Sequence, residues 1–135
     1  MSQQVGDRSR LYGVVGAGGL GLGALAYIGM VDPHRPGAVF PPCPFKLLTG
    51  WNCPACGGLR MTHDLLHGQL SAAAVDNVFL LLGLPLLALW SLWRVRSGRR
   101  ALTPAVVTVI AVAAIAWTVL RNLPGFPLVP TMLGP

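Results

Sequence analysis

The stretch Leu11-Tyr-Gly-Val-Val-Gly-Ala-Gly-Gly-Leu-Gly-Leu-Gly-Ala-Leu-Ala-Tyr-Ile-Gly-Met-Val31 runs for 21 residues without a charge, and its length matches a membrane span. At 1.5 Å per helical residue it covers the roughly 30 Å of hydrocarbon in a bilayer. Glycines are poor helix formers in water, but in lipid small residues let two helix backbones approach closely. Gly19-x-x-x-Gly23 is such a pattern, expected to face lipid or a partner helix. Arg8 and Arg10 before the run and Ala24-Leu-Ala26 inside it also fit a cleavable secretory signal; the run is taken as a retained span.

Two further apolar runs flank a polar centre. Residues 75–93 form the second span, continuing N-terminally through Ser71 to Ala74, with Trp90 and Trp93 placed like a membrane-interface belt. Pro85 removes one backbone hydrogen bond, so a kink is expected between Leu81 and Pro85. The third span covers residues 102–121, with Thr103 as N-cap, Pro104 at the first helical position and Pro124 discouraging continuation. The fold class that follows is an all-α membrane protein of three transmembrane helices with a Cys-containing extracytoplasmic loop and short helix. Residues 1–10 form an N-terminal tail, 11–31 the first span, 32–74 the loop, 94–101 a basic loop and 122–135 a C-terminal tail.

Composition supports this division. The chain is 53% hydrophobic and 10% charged, with a mean hydropathy of +0.62, where a soluble domain carries about a quarter charged residues. Three spans leave too little polar chain for a separate soluble catalytic domain. The net charge of +6 does not indicate nucleic acid, because the basic residues flank apolar runs instead of forming a stripe among aromatics. Arg8, Arg10, Arg94, Arg96, Arg99 and Arg100 lie on one side of the spans, and Arg35, Lys46, Arg60 and Arg121 are spread over longer segments on the other. The positive-inside rule therefore predicts a cytoplasmic N-terminus, an extracytoplasmic C-terminus and an extracytoplasmic 32–74 loop.

That loop gathers all three cysteines and all three histidines. Residues 32–49 hold too many prolines for a regular helix and are expected to form a loop or extended lid. Cys53-Pro-Ala-Cys56-Gly reads as a tight turn, followed by a helix from about Gly58 to His67 that Gly68 ends. A helix starting at the turn itself would place Cys56, Arg60, His63 and His67 on one face. Three chemistries compete for the thiols. A disulfide from Cys43 to Cys53 or Cys56 suits an oxidising compartment and leaves one thiol over. Zinc is the second, with Cys43, Cys53 and Cys56 joined by His63 or His67. A redox pair at Cys53 and Cys56 is the third, although no thioredoxin-like unit surrounds it. Arg60 is expected to touch lipid phosphate or a partner, as is Arg121 at the end of the third span. Asp64 is spaced to pair with Arg60, and His34 reads as a solvated loop residue.

Cys43-Pro-Phe, Leu48-Thr-Gly50, Cys53-Pro-Ala-Cys56-Gly, Arg60, Leu66-His-Gly68, Ala72 to Ala74, Asn77 and Arg121-Asn122 together resemble a bacterial family of small membrane proteins, catalogued as domain of unknown function 2752. The resemblance implies a small polytopic membrane protein and no particular reaction; the expected location is the bacterial inner (plasma) membrane. Asn77 is followed here by Val78, where the family pattern has Asn-Pro. The sequence offers no nucleophile with an oriented base, no carboxylate pair and no phosphate loop. The expectation is therefore a non-catalytic accessory or assembly subunit of a larger membrane complex, such as one of the respiratory chain, whose partners are other integral membrane subunits and lipids. An independent membrane thiol-redox or metal-handling protein is the alternative. No cofactor is expected, with zinc at the thiols left open.

Overall fold

The computed structural model describes residues 2–35, 37 and 39–128. Among them the chain is helical, in the order α1 (Ser2–Met30), α2 (Pro44–Thr49), α3 (Gly58–Leu66), α4 (Leu70–Arg96) and α5 (Pro104–Arg121). Three segments are long and apolar enough to cross a membrane, namely Leu11–Met30, Leu70–Arg96 and Pro104–Arg121. The expected all-helical, three-span class is thus found. Part of the expected C-terminal tail, residues 129–135, lies outside the described residues.

Element boundaries differ from the sequence reading in three places. The first helix begins at Ser2, so the segment expected as a tail continues the helix that carries the span. The proline-rich loop contains α2, because Pro44 sits at the start of that helix, where its missing N–H is not needed and its fixed φ is helical. The second span starts at Leu70 and departs from helical geometry at Asn77 (φ −162°, ψ 82°), a break additional to the expected one near Pro85, which lies inside the helix that follows. The Asn77 side chain explains the position of that break. Its Oδ1 accepts the Leu80 N–H at 3.0 Å, capping the helical segment that follows, while its Nδ2 is drawn away toward the cysteine turn. The third span matches expectation, with Thr103 Oγ1 accepting the Val106 N–H and Pro104 at the first turn.

The short helix α3 joins the others. It packs chiefly on α4 and also on α1. A Cβ at Gly58 would meet Leu80 Cδ1 at 3.0 Å, so glycine permits the close approach of α3 to α4. Phe79 of α4 stacks on Trp117 of α5 at 5.9 Å, and Phe126 meets the same indole edge-on at 5.8 Å. Among the described residues the buried set is Met61, Ala73 and Trp117 with Asp64, Asp76, Asn77 and Arg121. All seven lie on α3, at the start of α4 or near the end of α5, so the core is a small, largely polar cap at one end of the spans. Gly19 and Gly23 have open space where a Cβ would project, leaving their face available to lipid or another helix.

Candidate functional site: a thiol turn beside a histidine and carboxylate cluster

Cys53 to Gly57 form successive turns, with Cys56 N–H donating to Cys53 O at 3.1 Å and Gly58 N–H to Ala55 O at 2.9 Å. Gly57, at φ 83°, occupies the left-handed region and starts α3 immediately after the turn. Because α3 begins at Gly58, Cys56 stands outside the helix, and the single helical face expected for Cys56, Arg60, His63 and His67 does not form. Cys43 precedes α2, and its carbonyl accepts the Leu47 N–H at 3.1 Å. The two segments bring the thiols together. Cys43 Sγ lies 3.4 Å from Cys53 Sγ, Cys56 Sγ lies 3.0 Å from Cys53 Sγ, and all three sulfurs are within 4.8 Å of one another. A disulfide needs about 2.05 Å, so the three cysteines are free thiols. Cys53 N–H also donates to Cys56 Sγ at 3.1 Å.

The thiols differ in acidity. Burial, reinforced by the Cys53 thiol, pushes Cys56 up to about 12. The Lys46 backbone N–H lowers Cys43 from its ordinary value, against the opposing effect of desolvation. A cavity of about 800 Å³ opens over the cluster, and its lining includes all three cysteines with Arg35, Lys46 and Arg60.

Helix ends fasten this turn. Arg121 is 1% exposed, which corrects its expected place at a lipid or partner surface. Its Nη1 donates to Cys53 O at 3.0 Å and Cys56 O at 2.8 Å, its Nη2 donates to Asp76 O at 3.3 Å, and its guanidinium lies 5.4 Å over the Trp117 ring. Asn77 Nδ2 donates to Pro54 O and Cys56 O, each at 3.0 Å. Asn122 grips the backbone of Asn52 twice, accepting its N–H at 2.9 Å and donating to its carbonyl at 2.9 Å. The guanidinium keeps its charge at any working pH, so the thiol turn sits against a fixed cation.

A second cluster lies on the other side of Asp76. His34 Nδ1 lies 3.0 Å from Asp32 Oδ1, and its Nε2 is 3.2 Å from Asp76 Oδ2 and 3.8 Å from Asp64 Oδ2. His34 is therefore not the solvated loop residue its surroundings in sequence suggest. Asp64 is 3% exposed and is turned toward His34 instead of forming the spaced pair with Arg60. The Arg60 Nε donates to Pro33 O at 3.4 Å. The His34 backbone N–H holds Asp32 below its ordinary value, with the His34 ring adding to the effect.

His63 and His67 do not join the thiols in the group whose ligand atoms lie within 4.8 Å of one another. His63 Nδ1 donates to Ile28 O at 2.7 Å, satisfying one of the last carbonyls of α1, and its Nε2 is 3.9 Å from Asp32. His67 Nδ1 donates to His63 O at 2.8 Å, and the two rings lie 4.3 Å apart. The sequence reading gives Asp64 only as a partner for Arg60 and assigns Asp32 and Asp76 to no site. A signal was present: the chain has four acidic residues in total, and Asp76 stands at the mouth of a span, where an ionisable group is costly enough to imply a purpose.

Residues 43–91 match the family model described as "Protein of unknown function (DUF2752)", which is the resemblance carried by the cysteine motif. No curated protein and no solved structure matches the chain.

Proposed function

We propose that this chain is a membrane-anchored metal-binding protein in which Cys43, Cys53 and Cys56 hold a divalent ion, zinc being the ion best suited to three thiolates. The observation that carries this reading is the convergence of three sulfurs where a disulfide would use two. Thiolates on zinc at about 2.3 Å and tetrahedral angles lie about 3.8 Å apart, so the pairs at 3.4 and 3.0 Å need to open slightly. Arg121 behind the turn and Arg35, Lys46 and Arg60 around the cavity offset the charge of three thiolates. The fourth coordination position is left to a water or a small ligand in the cavity. Following the positive-inside rule, the N-terminus and the loop from Arg94 to Arg100 face the cytoplasm, and the thiols face outward from an inner (plasma) membrane.

Elemental analysis of protein purified in mild detergent tests this. One sulfur-bound equivalent of zinc is expected to copurify, and that equivalent is expected to be lost in the Cys43→Ser, Cys53→Ser, Cys56→Ser variant. Mass spectrometry of the unreduced protein supplies the counter-result: an intact disulfide from Cys43 to Cys53 or Cys56 in zinc-free protein ends the metal reading.

A second reading, as accessory or assembly subunit of a larger membrane complex such as one of the respiratory chain, is favoured by a separate observation. The spans are almost wholly unburied within the chain, and Leu11–Met30 has no buried residue in its most apolar stretch. Copurification separates the two readings: a stoichiometric complex supports the subunit, and a solitary zinc protein supports the metal binder.

A further inference from the structure

We propose that His34, Asp64 and Asp76 form a second cation site, distinct from the thiols, that takes a first-row divalent metal through one imidazole nitrogen and two carboxylate oxygens. The three ligand atoms lie within 4.8 Å of one another. Ligands about 2.0–2.1 Å from zinc at tetrahedral angles lie about 3.3 Å apart, and the His34 Nε2 separations of 3.2 Å to Asp76 Oδ2 and 3.8 Å to Asp64 Oδ2 bracket that value.

Burial supplies an independent reason. Asp64 and Asp76 are 3% and 2% exposed, yet Asp64 Oδ2, which points at His34, has no hydrogen-bond partner among the described residues, and neither does Asp76 Oδ1. A carboxylate oxygen out of water and without a donor is expensive. The site therefore has unfilled capacity for positive charge, and two carboxylates match a divalent ion.

The surroundings fix the histidine for this role. Asp32 Oδ1 lies 3.0 Å from His34 Nδ1 and also accepts the His34 backbone N–H at 2.9 Å. Placing the ring proton on Nδ1 leaves the Nε2 lone pair facing the two carboxylates. A carboxylate behind a histidine is the arrangement that orients imidazole toward a metal and raises its basicity. With Nε2 deprotonated, it and the two carboxylate oxygens repel unless a proton or a metal ion lies between them. Mixed nitrogen and oxygen ligation suits zinc, manganese, iron(II) or cobalt better than a thiophilic ion. The ligands come from the loop after α1, from α3 and from the mouth of α4, so an ion here would tie the first two spans together. Asp76 also gives its backbone carbonyl to Arg121, which holds the cysteine turn, so the two sites share one strut.

The test removes the thiol site first. Full-length Cys43→Ser, Cys53→Ser, Cys56→Ser protein in mild detergent is dialysed against zinc, and separately titrated with cobalt(II). One equivalent of zinc is expected, with visible cobalt d–d bands and no sulfur-to-cobalt charge transfer. Adding Asp64→Asn, which keeps the side-chain volume, should weaken binding at least tenfold. Should the triple variant fail to fold, wild-type protein decides the matter: two equivalents of zinc are expected, falling to one in Asp64→Asn with the sulfur charge-transfer band of the cobalt form intact. A folded triple variant that binds neither metal overturns the proposal and leaves an imidazolium shared by carboxylates. So does a wild-type stoichiometry that Asp64→Asn leaves unchanged.

Discussion

The spans and the cap are built on opposite principles. Along the spans, large apolar side chains point outward, with Leu20 79% and Val109 68% exposed, and order comes from backbone hydrogen bonds that each helix completes within itself. In the cap, four of the seven buried residues are polar, and order comes from long side chains reaching across to the carbonyls of a turn. The contrast teaches where this chain is specific. Many apolar sequences would serve as spans, whereas the cap needs Arg121, Asn77 and Asn122 each at its own position.

If the cap is as closed as its hydrogen bonding implies, Cys56 and Cys43 must behave differently. In metal-free, reduced protein at pH 8, a thiol raised from 9.0 to about 12 has about a thousandfold less thiolate than an ordinary one. Cys43, lowered by the Lys46 N–H, should alkylate first, and Cys56 last by two to three orders of magnitude. Equal rates would mean that the cap is as open as the spans. Replacing Arg121 with Met strips three carbonyls of a charged donor and should cost roughly 3–5 kcal/mol, read as a large fall in thermal unfolding temperature in detergent. Asn77→Ala removes a helix cap and two hydrogen bonds to the turn, for about 2–3 kcal/mol. On the other side of the contrast, Leu20→Ala should change stability by less than about 0.5 kcal/mol. A large loss there would show that α1 packs on something beyond this chain, favouring the subunit reading.

The spans could be read directly because hydropathy and length alone decide them, and the Thr103-Pro104 cap and the helix from Gly58 are local signals that nothing in the fold overrides. The thiol cluster was half legible: the motif named Cys43, Cys53 and Cys56, but their companions follow from tertiary contact. His63 shares α3 with Arg60 and His67 caps its C-terminal end, yet the start of α3 after Gly57 turns His63 toward the end of α1 instead of toward Cys56. The His34 cluster was illegible for the same reason. Its residues are separated by 30 and 12 positions, and only the folding of the loop back over α3 and α4 brings them within reach. Arg121 read as a membrane-flanking charge because positive residues at span ends are common; its partners are backbone carbonyls, which no sequence pattern announces.

The central claim is that three thiols converge to hold a metal, and X-ray absorption at the zinc edge of the detergent-purified, zinc-loaded protein addresses it without intermediaries. A sulfur shell at about 2.3 Å is expected, and it disappears when Cys43, Cys53 and Cys56 are replaced with Ser. A zinc environment of nitrogen and oxygen alone in the wild-type protein would contradict it.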